Sequence, residues 1–85
     1  RMDLEEYSWV KASEYRENLL LALEDKPRTP KELSEMTEYY LSHVSNVLSD
    51  LDDHNLAECQ TPDRKKGRLW QVTEKGEEII EDLKR

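Results

Sequence analysis

Apolar residues recur three or four positions apart in four stretches of the chain, and this spacing predicts four helices. The predicted helices cover residues 13–24, 29–36, 41–54 and 73–84. Ser13 and Thr73 are suitable N-caps for the first and last of them. Thr29 and Glu32 form a capping box in which Pro30 takes the first helical position. Each predicted helix other than the third therefore begins at a recognisable start signal.

The helix predicted over residues 41–54 is the most informative, because it has one apolar and one polar face. Its inward stripe consists of Leu41, Val44, Val47, Leu48 and Leu51. Its outward face consists of Ser42, Asn46, Ser49 and Asp53, flanked by His43, Ser45 and Asp50. Small hydroxyl and amide side chains dominate the first half of this face, and carboxylates dominate the second half. Asn55 is a suitable exit residue, since asparagine tolerates left-handed backbone conformation.

Two segments near the middle of the chain alternate in the manner of β-strands. They span residues 56–61 and 69–72, and the intervening loop 62–67 makes them a hairpin. At the other end, residues 1–6 are expected to be frayed, and residues 7–12 are ambiguous between an extended piece and a helical turn. The predicted fold class is mainly α with a small β-hairpin (α+β), in the order helix, helix, helix, strand, charged loop, strand, helix.

Charge is distributed unevenly along the chain, whose net charge is −7. Residues 1–60 carry a net charge of −8 and residues 69–85 a net charge of −2. Residues 61–68 carry +3, because four basic side chains there face a single acid. Phosphate attraction supplies most non-specific affinity for nucleic acid, so the overall balance argues against a generic nucleic-acid binder. The local contrast instead marks the cationic loop as a candidate contact surface.

Length and composition restrict the classes of protein to which this chain can belong. With 85 residues there is room for one domain and one core. The single cysteine, Cys59, excludes an intramolecular disulfide. A glycine-rich phosphate loop, a metal-ligand cluster and a nucleophile beside a base are all missing from the sequence, so we expect neither an enzyme nor a cofactor. No apolar stretch is long enough to cross a bilayer, and the expected location is the cytoplasm.

Several fragments resemble small winged helix-turn-helix regulators that are common in archaea, near the arsenic-repressor-like and multiple-antibiotic-resistance-like groups. The fragments are Thr-Pro-Lys-Glu-Leu-Ser-Glu-Met-Thr at 29–37, His-Val-Ser-Asn-Val-Leu-Ser-Asp-Leu at 43–51 and Val-Thr-Glu-Lys-Gly at 72–76. The last is the most specific for the fold. The resemblance covers roughly residues 9–83 and implies a single DNA-binding domain over residues 1–85.

The resemblance also implies a division of roles on double-stranded DNA. Residues 29–54 would form the helix-turn-helix, residues 56–72 the wing and residues 73–84 the C-terminal helix. The 41–54 helix would enter the major groove, and the wing would lie on the backbone or in the minor groove. The residues expected to face bases are Ser42, His43, Ser45 and Asn46. The residues expected at phosphate or sugar are Tyr39, Tyr40, Arg64, Lys65, Lys66 and Arg68, with Thr29 and Lys31 as weaker candidates.

The sequence departs from the usual pattern of such regulators and leaves several interpretations open. The 41–54 helix has no arginine or lysine on its outer face, and Asp50, Asp52 and Asp53 would repel phosphate. The basic loop is alternatively a solvated hairpin tip, and the serine and asparagine face a plain polar surface. Tyr39 and Tyr40 fit the rim of the core as well as they fit DNA.

Two further expectations concern partners. A homodimer is expected through the predicted first and last helices, because such regulators generally read two half-sites with two-fold symmetry. The alternative function is a protein-interaction winged helix in a transcription or replication assembly, which would use the acidic 41–54 helix. That alternative would explain both the acidic balance and the missing cations on the helix.

Overall fold

A computed structural model describes residues 3–85 of the chain and contains five helices and one β-hairpin. The helices are α1 (Leu4–Lys11), α2 (Glu14–Ala22), α3 (Pro30–Thr37), α4 (Leu41–Asp53) and α5 (Glu74–Leu83), and the strands are β1 (Ala57–Cys59) and β2 (Trp70–Val72). This is the predicted fold class, with one helix more at the N-terminal end than the predicted order contains.

The N-terminal segment is the clearest difference from the sequence-based expectation. Of residues 1–6, expected from the sequence to be frayed, residues 1 and 2 lie outside the described part of the chain. Residues 4–6 form the first turn of α1, and residues 7–11 complete it. Asp3 caps this helix, because its carboxylate accepts a hydrogen bond from the Glu6 amide at 3.1 Å. Only Val10 of α1 is fully buried, so the apolar pattern of the helix was too weak to reveal it.

A contact distant in sequence holds α1 against the rest of the domain. The indole of Trp9 stacks on the imidazole of His54, with ring centroids 3.5 Å apart and planes inclined by 11°. The Arg16 guanidinium lies 4.1 Å from the centre of the Trp9 ring and donates a hydrogen bond to the Trp9 carbonyl oxygen at 2.8 Å. The Nδ1 atom of His54 is 3.0 Å from a carboxylate oxygen of Glu6. Trp9 therefore fastens α1 to both α2 and the end of α4.

One apolar core lies between α2, α4 and α5. Its largest fully buried side chains include Leu19, Leu20, Leu48, Leu51 and Ile79. The predicted apolar stripe of α4 is confirmed at four of its positions, because Val44, Val47, Leu48 and Leu51 are all buried. Leu41 is the exception. It is the first residue of α4, where no preceding turn covers it, and half of its side chain is exposed.

The sheet is antiparallel and positions the charged loop beside α4. Ala57 pairs with Val72 and Cys59 with Trp70. Arg28 forms an isolated β-bridge with Trp70, because the backbone amide and carbonyl of Arg28 exchange hydrogen bonds with Trp70 at 2.9 and 2.8 Å. Sequence patterning missed this bridge because one residue between Pro27 and Thr29 has no alternation to detect. The bridge connects the start of α3 to the base of the hairpin.

The predicted start and stop signals are present in the structure. Ser13, Thr29 and Thr73 cap α2, α3 and α5 respectively, and the reciprocal capping box at Thr29 is complete. The hydrogen bond from the Thr29 amide holds the pKa of the Glu32 carboxyl below its usual value. Asn55 has a φ of 61°, the left-handed conformation expected at the end of α4. Within residues 3–85, no helix is long and apolar enough to cross a membrane.

Candidate nucleic-acid interface

The first half of α4 presents an exposed, uncharged face. Its N-terminal residue Leu41 and the side chains of Ser42, Ser45 and Asn46 are exposed, while the apolar stripe on the opposite side is buried. The amphipathic pattern therefore orients these hydroxyl and amide groups outward. Their donors and acceptors are of the kind that reads base edges.

The loop between the strands carries the four predicted cations Arg64, Lys65, Lys66 and Arg68, and all four are exposed. None of them lies within 4.0 Å of a carboxylate oxygen belonging to residues 3–85. Among the other lysines and arginines of residues 3–85, Lys11, Lys84 and Arg85 do have such partners, and the rest have none. The positive charge of the loop is thus available to an external anion.

The two arginines and the two lysines of this loop have different surroundings. Arg68 donates through Nε to the carbonyl oxygen of Arg64, and through its guanidinium to the carbonyl oxygen of Pro62 at 3.4 Å. Arg64 donates to the carbonyl oxygen of Gly67, also at 3.4 Å. Gly67 has a φ of 64°, which permits the turn. The arginines help to shape the loop, and the ammonium groups of Lys65 and Lys66 make no hydrogen bond within the described chain.

A cleft of about 420 Å³ separates α4 from the loop. Ser45, Ser49 and Asp52 line it from α4, and Lys65 and Arg68 line it from the loop. Asp52 thus shares a cleft with two of the cations, although it forms no ion pair with them. The loop runs alongside α4, so the polar face of the helix and the cationic loop form one continuous surface.

A second groove, of about 500 Å³, continues this surface toward the start of α4. Leu41 and Ser45 line it from α4, Lys31 from α3 and Lys66 from the loop. Helical periodicity places Leu41 in the apolar stripe and does not predict its exposure at the surface. Its exposure could have been predicted from its position as the first residue of the helix, because no preceding turn covers it there.

Tyr39 and His43 lie on the α2 side of α4, away from the loop. The Tyr39 hydroxyl accepts a hydrogen bond from Nδ2 of Asn18 at 2.8 Å. The Tyr15 ring stands edge-on to both Tyr39 and His43, with centroids 4.7 and 4.1 Å away. Nε2 of His43 is buried and lacks a hydrogen-bond partner among residues 3–85. These two side chains therefore take part in packing against α2, on the margin of the polar face.

Tyr40 is placed differently from Tyr39. It is the N-cap residue of α4, its side chain makes no capping hydrogen bond, and 86% of its surface is exposed. A tyrosine in this position can offer its hydroxyl to a phosphate at the edge of the groove. The structure brings Tyr40 to the same end of α4 as Ser42 and Leu41.

Comparison with solved structures identifies the architecture. Over 85% of its length the chain superposes on a variant of Lactococcus lactis ZitR, with a TM-score of 0.75 and 19% identity. It also superposes over 85% of its length on the MarR family transcription regulator SP03579, with a TM-score of 0.77 and 20% identity. The chain has the winged-helix fold seen in these structures. In that fold α3 and α4 are the helix-turn-helix, and the β1–β2 hairpin with its loop is the wing.

The solved structure of heme-free PefR superposes on a larger share of the chain, 94%, with a TM-score of 0.63 and 18% identity. The chain spans about half the length of ZitR and SP03579, and 78% of the length of PefR. No family model and no curated protein matches the sequence. Among the described residues, no group of three or more histidine, cysteine, aspartate or glutamate side chains could hold a metal ion.

Proposed function

We propose that this winged-helix domain binds double-stranded DNA in a sequence-specific manner, as a transcription regulator. The N-terminal half of α4 enters the major groove, and the wing lies on the backbone or in the minor groove. The observation that carries the proposal is the wing, whose four cations have no carboxylate partner among residues 3–85. Three of these cations, Lys65, Lys66 and Arg68, line grooves that they share with Ser45 of α4. In an acidic chain, four neighbouring cations without a carboxylate partner polarise this surface toward an anionic partner.

The placement of the carboxylates is compatible with this orientation. Asp50, Asp52 and Asp53 all lie in the C-terminal half of α4, beyond the residues assigned to bases. Asp52 borders the wing cleft, whereas no carboxylate lines the groove around Leu41 among the described residues. Duplex DNA therefore meets the N-terminal end of α4 with the least repulsion.

The salt dependence of DNA binding tests the proposed contact between the wing and the phosphates. Each phosphate that a lysine neutralises steepens the fall of log K with log salt by about 0.9. Replacing Lys65 and Lys66 together by alanine should therefore weaken binding and reduce the magnitude of the slope by roughly 2. Fluorescence anisotropy of a labelled duplex across a salt series measures both quantities. The two arginines stay in place, so their hydrogen bonds continue to hold the loop.

The matched control is the double variant Lys84→Ala/Arg85→Ala, which removes the same charge at the end of α5. Its slope should equal that of the wild type. Equal slopes for the wing variant and the wild type would contradict phosphate contact by the wing. A folded chain that binds no duplex even at about 50 mM salt would overturn DNA binding and favour the protein-partner alternative.

Homodimerisation through the predicted first and last helices stays part of the proposal. In the structure these are α2 and α5, and Leu21 and Leu83 are half-buried beside the core. Ile80 of α5, by contrast, is buried within one chain. Two copies related by a two-fold axis would present two α4 helices to two half-sites.

A further inference from the structure

The exposed apolar side chain at the start of α4 is the one feature of the interface that polar contacts with DNA leave unexplained. Half of the Leu41 surface is exposed, although the other apolar residues of α4 are buried. Ser45 lies one turn further along the same side of the helix and lines the same groove. Leu41 therefore belongs to the face assigned to DNA.

The composition of that face restricts which bases it can read. Guanine is most often read by arginine or lysine, and α4 contains neither residue. Asparagine is suited to the N6 and N7 atoms of adenine, which makes Asn46 an adenine reader. Thymine differs from the other bases in the major groove by its C5-methyl group, which apolar side chains contact. Leu41 is the only apolar side chain on the outer side of α4 that could supply such a contact.

The groove around Leu41 also fits duplex DNA by its charge. Lys31 of α3 and Lys66 of the wing line it together with Leu41, and no carboxylate among residues 3–85 lines it. A groove lined by one apolar side chain and two lysines matches the edge of a base and the phosphates beside it. An apolar peptide segment would leave both lysines without a counter-charge.

We propose that Leu41 reads the C5-methyl group of thymine, so that the DNA site of this protein contains an A·T pair opposite the first turn of α4. This inference rests on the proposed DNA binding and specifies the sequence class that the interface recognises. Asn46 and Leu41 together make α4 a reader of A·T pairs, and the absence of cations from the helix becomes a cause of that preference.

The test uses thymine and deoxyuridine, which form the same base pair and differ only by the methyl group. Sites are first selected from random-sequence duplexes with the wild-type chain, and should be enriched in A·T pairs. Single thymines of the selected site are then replaced by deoxyuridine. At one position per half-site the replacement should weaken binding roughly fourfold, the change that corresponds to losing one buried methyl group.

Leu41→Ala and Leu4→Ala give the discriminating comparison, because both remove an exposed leucine and neither opens a cavity in the core. Leu41→Ala should bind the thymine and deoxyuridine duplexes equally well. Leu4→Ala, in which the altered side chain lies on α1, should keep the wild-type preference for thymine over deoxyuridine. This comparison separates a contact with Leu41 from any effect of deoxyuridine on the duplex itself.

Three outcomes would overturn the inference. The first is equal binding of thymine and deoxyuridine duplexes by the wild-type chain at every position. The second is selection of sites that lack A·T pairs, and the third is retention of the thymine preference in Leu41→Ala. All three leave salt-sensitive duplex binding intact, whereas failure of the proposed function appears as no duplex binding at all, which would overturn both.

Discussion

Replacing Gly76 by alanine should lower the free energy of unfolding by about 2–3 kcal/mol, because the added methyl group has no space. A Cβ atom at this position would lie 2.2 Å from the carbonyl oxygen of Leu56 and 2.5 Å from Cγ2 of Val72. The oxygen belongs to the backbone and cannot rotate away. Alanine is favoured over glycine within a helix by about 1 kcal/mol, which offsets only part of the clash.

The expected consequence is a displacement of α5 from the hairpin. The Leu56 carbonyl also accepts a hydrogen bond from the Thr73 amide at 3.0 Å, and the Thr73 hydroxyl donates to the Asn55 carbonyl at 2.6 Å. Moving α5 outward would strain both bonds and loosen the packing of Ile79. For a domain of this size, the loss corresponds to a fall in melting temperature of roughly 10 °C or more.

Chemical denaturation of two controls separates the steric cause from other effects. In Gly67→Ala the added Cβ atom has no neighbour within 4 Å. The variant should therefore lose only the free energy that alanine pays for the left-handed conformation, about 1–2 kcal/mol. Glu78→Ala changes an exposed residue of α5 and should alter stability by no more than about 0.5 kcal/mol. A Gly76→Ala variant that is as stable as the wild type would show that α5 does not pack this closely on the hairpin.

Replacing Asn46 by alanine should weaken binding to the selected DNA site by about 1–3 kcal/mol, a factor of roughly 5 to 150. Asn46 is exposed in the middle of α4, so the substitution leaves the core unchanged. The effect is expected on sequence discrimination, because a base contact carries information that a phosphate contact does not. Binding to unrelated duplexes should therefore change little.

Anisotropy titrations with the selected and an unrelated duplex measure this difference. The salt slope of Asn46→Ala should match that of the wild type, in contrast to the slope of the wing lysine variant. Glu77→Ala, an exposed residue of α5, serves as the control and should bind both duplexes normally. If Asn46→Ala bound the selected site with wild-type affinity, α4 would not be reading adenine through this residue.

Local sequence signals predicted most of the fold because they act over a few residues. The caps at Ser13, Thr29 and Thr73 each satisfy an amide three positions along, so a short window contains the whole interaction. The left-handed exit at Asn55 is equally local. The same holds for the alternation that predicted the hairpin and for the cationic run at its tip.

Features that depend on distant contacts could not be predicted in this way. Helix α1 is held by Trp9 on His54, a pair 45 positions apart, and it presents only one fully buried residue to the core. The Arg28 bridge to Trp70 likewise has no local pattern. Both were missed because periodicity reports how a segment is buried and contains no information about its partner.

The candidate site shows the same division between local and distant information. Helical periodicity correctly placed Ser42, Ser45 and Asn46 on the exposed face of α4. It could not foresee that Tyr15 covers the ring of His43, because Tyr15 lies on another helix. It also assigned Leu41 to the buried stripe, since an ideal helical wheel treats the first residue of a helix like any other.

The most direct test of which surface binds DNA is a nuclear magnetic resonance titration of the isotope-labelled chain with duplex DNA. If this surface binds DNA, amide shifts change in the wing loop and in the first half of α4, from Leu41 to Asn46, while α5 changes little. Shifts confined to Asp50–Asp53 or to the outer side of α5, or no shifts at all, would contradict the assignment of α4 and the wing to DNA.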